Sequence, residues 1–297
     1  MHIDRENSAL DPSWVRRSFD RAAAGFDGAA VLHAEVRGHL LRRLELTDLA
    51  PRVFIDAGAG TGHASRALAR RYPKSRVVAV DISLGMLRAA ARRRFWRKPF
   101  ARLCASAEQL PLADGSVDLI LSNLMLQWCD PERVFGEFRR VLAPRGFLSF
   151  TSLGPDTLRE LRAAWRQVDS QLRVQGFLDM HDVGDALVRA GFAAPVLDVE
   201  RYTLTYPDVR RLAADLRAAG SRNAMRGRFK ALTGARRFAA LETAYEAYRH
   251  EGRLPATYEV VYGQAWAPLA AARRHATEES ISLQEIERQL RIRSMAR

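Results

Sequence analysis

Cysteine is almost missing from this chain: Cys104 and Cys129 are the only two among 297 residues. Neither has metal-site spacing, and the pair suggests no disulfide framework, so no metal site is expected and both thiols are assigned to core packing. Long apolar runs are missing too. Nothing approaches the roughly 18 residues of a spanning helix, and residues 1–15 are polar, without the apolar stretch of a secretory signal. The cytoplasm is therefore the default compartment, and no membrane partner is expected. Lysine occurs only at Lys74, Lys98 and Lys230, so the net charge of +13 is carried almost wholly by arginine. Such a balance points to an acidic partner, or to an arginine-rich composition with a solvated basic face. Two stretches concentrate it without an acid among them: Arg88, Arg92, Arg93, Arg94, Arg97, Lys98 and Arg102, then Arg222, Arg226, Arg228, Lys230, Arg236 and Arg237.

What the chain does have is one organising stretch, Arg52 to Gly62. Val53 to Ile55 read as a short buried strand. Asp56 follows, then glycines at Gly58, Gly60 and Gly62, then a helix rich in Ala, Leu and Arg from His63. Strand, glycine turn and helix build a ligand crevice at the carboxyl ends of an open α/β sheet. The dinucleotide fingerprint G-x-G-x-x-G fails, because its third glycine falls on His63, and the phosphate loop G-x-x-x-x-G-K-[ST] is absent. Arg76 to Asp81 form a second buried strand ending in an acid. Asp81 lies about 20 residues past the turn, where a carboxylate accepts both ribose hydroxyls of an adenosine.

The Asp-x-Gly-x-Gly-x-Gly spacing resembles the first motif of class I S-adenosylmethionine (SAM) methyltransferases. That resemblance implies an α/β fold: a Rossmann-like, seven-stranded, mostly parallel sheet with helices on both faces and a helical lid. It implies SAM as the methyl donor, held by Asp56, the three glycines and Asp81, with Ile82 and Met86 beside the adenosine. Ser106-Ala107-Glu108 resembles the family's Asp-Ala-Glu loop, with Ser106 where the adenine-binding acid is usual, and Ala107, Glu108 and Asn123 complete the expected cofactor site. Leu124 and Met125 follow Asn123, unlike the Asn-Pro-Pro-Tyr motif of amino-group methylation.

In chain order, 1–50 read as N-terminal cap helices over the cofactor, one over 13–24 with Ser13 as its cap and one over 29–46. The SAM-binding core is 51–153, with helices at 84–95 and 131–143 and strands at 100–104, 117–121 and 147–152. From 154 to 267 come a helix over 157–168 capped by Asp156, a helix over 181–190, and strands at 196–206 and 258–266. The segments 155–178 and 207–253 are expected as a helical lid over the cofactor crevice. Residues 268–297 read as a charged tail.

The segments Ser122 to Trp128, Asp156 to Trp165, Phe177 to His181 and Leu254 to Tyr262 resemble the malonyl-[acyl-carrier protein] O-methyltransferase family of biotin synthesis. The stretch Phe19 to Phe26 resembles it too, with Phe26 where a tyrosine is usual. The resemblance implies methylation of the free carboxylate of malonyl carried on an acyl carrier protein. A carboxylate is ionised at neutral pH, so no catalytic acid or base is named. Gln127 and Trp128 are candidates for substrate contact, as are Arg159, Arg162 and the basic cluster from Arg222, because arginine grips a carboxylate bidentately. Competing readings are another class I methyltransferase, acting on a small acid, a quinone precursor or RNA, and a non-methylating assembly factor or arginine hydroxylase on the same fold. No recognisable RNA-binding module supports the nucleic-acid reading.

Overall fold

A computed structural model describes residues 9–45, 47, 49–92, 100–228 and 233–269. Arg93, Arg94, Arg97, Lys98, Lys230 and nearly all of the 268–297 tail lie outside the described residues.

Three helices come first: α1 (Pro12–Ala22), the single turn α2 (Phe26–Ala29) and α3 (Val31–Glu45). Asp11, not Ser13, caps α1. Its carboxylate accepts from the Trp14 N–H at 3.1 Å, and Pro12 takes the first helical position, where a missing N–H costs nothing. Then follow β1 (Val53–Ala57), α4 (His63–Arg71), β2 (Arg76–Asp81), α5 (Leu84–Arg92), β3 (Ala101–Cys104) and β4 (Val117–Ser122). After a 3₁₀ turn at Leu126–Trp128 come α6 (Pro131–Val141), β5 (Leu142–Leu153), α7 (Arg159–Val168), α8 (Met180–Arg189), β6 (Ala193–Tyr206), α9 (Val209–Ala218), α10 (Ala235–Glu246) and β7 (Leu254–Trp266).

The strands form one sheet in the order β3-β2-β1-β4-β5-β7-β6. The first five are parallel, and β7 runs antiparallel to both β5 and β6. Central strands of such a sheet are covered on both faces, which is why β1 and β4 are mostly apolar rather than alternating. The order reverses between β1 and β4, the switch point where an open α/β sheet leaves a crevice.

β6 begins at Ala193, three residues before the expected 196, and two further strands outrun the sequence pattern by more. β5 starts at Leu142 and crosses an irregular bend where Arg145 has φ +62°. β7 starts at Leu254 because its pairing with β6 runs on to Leu254↔Tyr206, past a Pro255 that discourages a strand locally. The expected Asp156 cap is not one. Its N–H donates to the Glu259 carboxylate at 2.7 Å, and α7 begins instead after Leu158 at φ +55°, with no side-chain cap. The thiol expectation is half right. Cys129 is partly buried, whereas Cys104 is exposed; both are free.

α3 is fixed from its far end. Arg43 donates to Asp198 at 2.5 Å and to Glu200 at 2.6 Å, and lies 4.0 Å from the Tyr262 ring centre. These contacts clamp α3 across β6 and β7 and so position the residues at its other end, His33 among them.

Candidate active site: two cavities with a shared wall

The turn after β1 is stitched to β2. The N–H groups of Gly58 and Ala59 both donate to the Val80 carbonyl, at 2.8 and 3.0 Å. Gly58 has φ +73°, and a Cβ there would sit 2.4 Å from Met125 Cγ, so no side chain fits. The N–H of Gly60 donates to Asp81 Oδ2 at 2.8 Å, and that of Ser83 to Asp81 Oδ1 at 2.8 Å. Each carboxylate oxygen thus has one fixed partner and retains acceptor capacity. Burial pushes Asp81 up to about 6, opposed by those two N–H groups and reinforced by the charges of Asp56 and Asp20.

Asp81 lies in the wall of a cleft of ≈ 770 Å³, together with Gly58, Gly60, Ile82, Met86 and Ala107. Ser106, Glu108 and Asn123 line it as well. Ser106 Oγ accepts from the Glu108 N–H at 3.2 Å, so its own proton is available to a ligand. Glu108 is spent on the Asp130 N–H at 2.9 Å. Asn123 is held at both ends of its amide: its Nδ2 donates to the His33 carbonyl at 3.1 Å and its Oδ1 accepts from Thr151 at 3.1 Å. The roof is N-terminal, with Pro12, Val15 and Phe19 from α1 and Phe26 from α2.

Two residues expected at the cofactor stand behind this wall instead. Asp56 is only 1 % exposed, and its Oδ2 accepts from Ser65 Oγ at 2.5 Å, tying β1 to α4. Burial raises it to about 6, countered by Ser65 and by the charges of Arg37 and Arg66. Gly62 opens α4 at φ +75°, and a Cβ there would meet Phe100 at 2.8 Å. Packing alone therefore requires glycine at this position.

A second cavity, of ≈ 850 Å³, adjoins the first. Three residues line both: His33, Leu124 and Trp128. The segments expected as a lid over the cofactor roof this second cavity, through Leu158, Leu161, Phe177, Leu216 and Arg222, and none of their residues lines the cofactor cleft. Gln127 belongs here too. Its Nε2 donates to the Leu124 carbonyl at 2.7 Å, while its buried Oε1 has no partner among the described residues.

Arg159 and Arg162 do not line this cavity. Arg162 is consumed by the backbone of its own loop, donating to the carbonyls of Pro155 at 2.8 Å, Thr157 at 2.9 Å and Gln175 at 3.4 Å. Arg159 pairs with Glu160 at 3.3 Å. The cations that do line it are Arg173 and Arg222. Arg173 is committed to Asp169 at 2.5 Å and lies 4.6 Å from the Trp165 ring centre. His33 escaped the sequence reading altogether. It follows the apolar stripe of α3, and one sequence offers no signal that separates it from a helix-face histidine.

The two roofs are clasped together. Leu10 bridges to Met225, the Asp11 N–H donates to the Ala224 carbonyl at 2.9 Å, and the Arg226 N–H donates to the Ala9 carbonyl at 2.8 Å. Arg228 adds an ion pair to Asp11 at 3.3 Å and covers Trp14. That cluster is therefore not wholly a free basic face. Arg226, Arg236, Arg237, Arg88 and Arg102 are exposed.

Residues 55–150 match a family model described as a methyltransferase domain. A malonyl-[acyl-carrier protein] O-methyltransferase of Methylovorus sp. is 52% identical over 268 residues, 88% of this chain and 90% of that protein. One of Laribacter hongkongensis is 51% identical over 274 residues, 89% of this chain and 92% of that one. Among solved structures, the YcgJ protein of Bacillus subtilis shares the fold at TM-score 0.54 and 16% identity, over 77% of this chain and 97% of its own. A SAM-dependent methyltransferase of Thermotoga maritima does so at TM-score 0.51 and 18% identity, over 85% of this chain and 99% of its own.

Proposed function

The chain belongs to the malonyl-[acyl-carrier protein] O-methyltransferase family, and from that premise we propose that it methylates the free carboxylate of a malonyl thioester on an acyl carrier protein. It is a SAM-dependent methyltransferase. When bound, SAM supplies a methyl group on a sulfonium: its bond to sulfur breaks as a bond to a carboxylate oxygen forms, both charges vanish and no proton moves. The cleft residues fit that donor. Asp81 offers an acceptor position on each oxygen for the two ribose hydroxyls, the glycine turn leaves bare backbone, and Met86 and Ala107 give apolar walls for the adenine.

The observation that carries the reading is the wall common to both cavities. His33, Leu124 and Trp128 border both cavities, so an acyl group in the second reaches a methyl group in the first where the two meet beside these residues. The second cavity is mainly apolar, as a short acyl chain and its thioester require, and is roofed by elements beyond the minimal fold. Since the carboxylate is ionised at neutral pH, the chain's task is alignment and exclusion of water rather than proton transfer. Exposed arginines around the lid would draw an acidic carrier protein. On that reading the enzyme acts at an early, pimeloyl-forming step of biotin synthesis, and we propose a cytoplasmic protein that works without a nucleic-acid partner. No described helix is long and apolar enough to cross a membrane. The test is mass spectrometry of malonyl carrier protein after incubation with SAM. One added methyl on the malonyl group, absent on acetyl carrier protein, is the expected result. SAM consumption without that product would reject it.

A further inference from the structure

The wall that the two cavities share carries an unusual set of polar groups. Trp128 packs edge-on against Phe19, with ring centres 5.5 Å apart, yet its buried indole N–H has no hydrogen-bond partner among the described residues. His33 packs edge-on against Phe26 at 5.2 Å, its backbone carbonyl is held by Asn123, and neither ring nitrogen is given a partner among the described residues. Buried donors are normally satisfied, and one left without an acceptor is costly. The third residue of the wall is Leu124. No charged side chain lines both cavities, although Arg173 and Arg222 line the second one alone.

We propose that Trp128 and His33 hold the acceptor carboxylate by neutral N–H donors at the junction of the two cavities, and that no arginine clamps it there. This deepens the malonyl-carboxylate reading and rests on it. The chemistry favours such a grip. The carboxylate loses its charge as the ester forms, so an arginine clamp would hold the ground state more tightly than the transition state and slow the transfer. A neutral donor fixes one oxygen and leaves the other free to react. Burial and the charge of Arg37 push His33 down to about 4, so its ring is uncharged at neutral pH and presents one N–H. The product ester still accepts such a bond weakly, which lets it leave.

The experiment measures binding of malonyl and acetyl carrier protein, each in the presence of S-adenosylhomocysteine, to the wild type and to Trp128→Phe, His33→Phe and Arg222→Met. Trp128→Phe replaces the indole with a smaller aromatic ring and removes the donor; His33→Phe repeats the test at the other donor. Each should weaken malonyl carrier binding about tenfold, and acetyl carrier and S-adenosylhomocysteine binding far less, since both side chains also border those sites. Arg222→Met should leave the preference for malonyl intact. Equal losses for both carriers would reduce Trp128 and His33 to shaping the cavity and overturn the proposal. So would a loss confined to S-adenosylhomocysteine, which gives the N–H groups to the cofactor, or a selective loss in Arg222→Met alone. A wild type that binds the two carriers equally would instead reject the malonyl reading on which the proposal stands.

Discussion

The two cavities are built to opposite rules. In the cofactor cleft almost every polar group already has a partner. Asp81 is fixed by Gly60 and Ser83, Asn123 by His33 and Thr151, and Glu108 by Asp130. Its floor is made of strand tips. In the neighbouring cavity Gln127 Oε1 is left without a partner among the described residues, as is Trp128 Nε1 on the wall that both cavities share, and the cavity's roof is made of helices and loops added after β5. A site held by the sheet is rigid before its ligand arrives; a site finished by a lid is completed by its ligand. The first suits a donor used by many enzymes, the second a specific acceptor.

The comparison breaks most sharply at Gly58. Gly58→Ala forces a Cβ into Met125 at φ +73°, and should cost about 3 kcal/mol of folding stability and abolish S-adenosylhomocysteine binding. Calorimetry and a thermal melt read both, while malonyl carrier binding should change far less.

Asp81→Asn separates binding from stability. Cofactor affinity should fall about tenfold or more. At pH 7 the empty protein should change little in stability: the amide leaves the Gly60 or Ser83 N–H without its acceptor, but relieves the protein of the penalty on a carboxylate raised to about 6 from 3.8. That penalty is complete above about 6 and gone below 3.8, so this residue adds stability to the wild type as pH falls through the window. Thermal melts of both forms across it should show the wild type gaining on the variant toward the acid end.

Asp11→Ala removes a helix cap and the partner of Arg228 together. It should cost about 1–2 kcal/mol and weaken both ligands by a few-fold, since the clasp joins both roofs. A loss confined to one ligand would show that the roofs move independently. The smallest effect is ionic. Raising salt should weaken carrier protein binding severalfold and leave cofactor binding unchanged, as parallel titrations would show.

The same division explains what the sequence made legible. The glycine turn and Asp81 act through local backbone and sit at fixed spacing, so the cleft could be read from β1, the turn and β2. Asp56 and Asp81 look alike there, as acids at strand tips. What separates them is the hydroxyl of Ser65, which takes one of them out of reach. Arg159 and Arg162 offered the right chemistry, but their guanidinium groups were claimed by Glu160 and by loop carbonyls that no periodicity reveals. Trp128 and Gln127 came from the resemblance of their stretch to a family. His33 and the clasp between Asp11 and Arg228 depend on residues far apart in the chain and became visible only once α3 and the lid were in place.

The most direct measurement is a crystal structure of the full chain with S-adenosylhomocysteine and a malonyl thioester. The account predicts the thioether sulfur in the cleft beside Asp81, the malonyl carboxylate across the wall at Trp128 and His33, and one carboxylate oxygen facing the sulfur. An acyl group seated away from that wall, with its carboxylate on Arg173 or Arg222 and out of line with the sulfur, would contradict it.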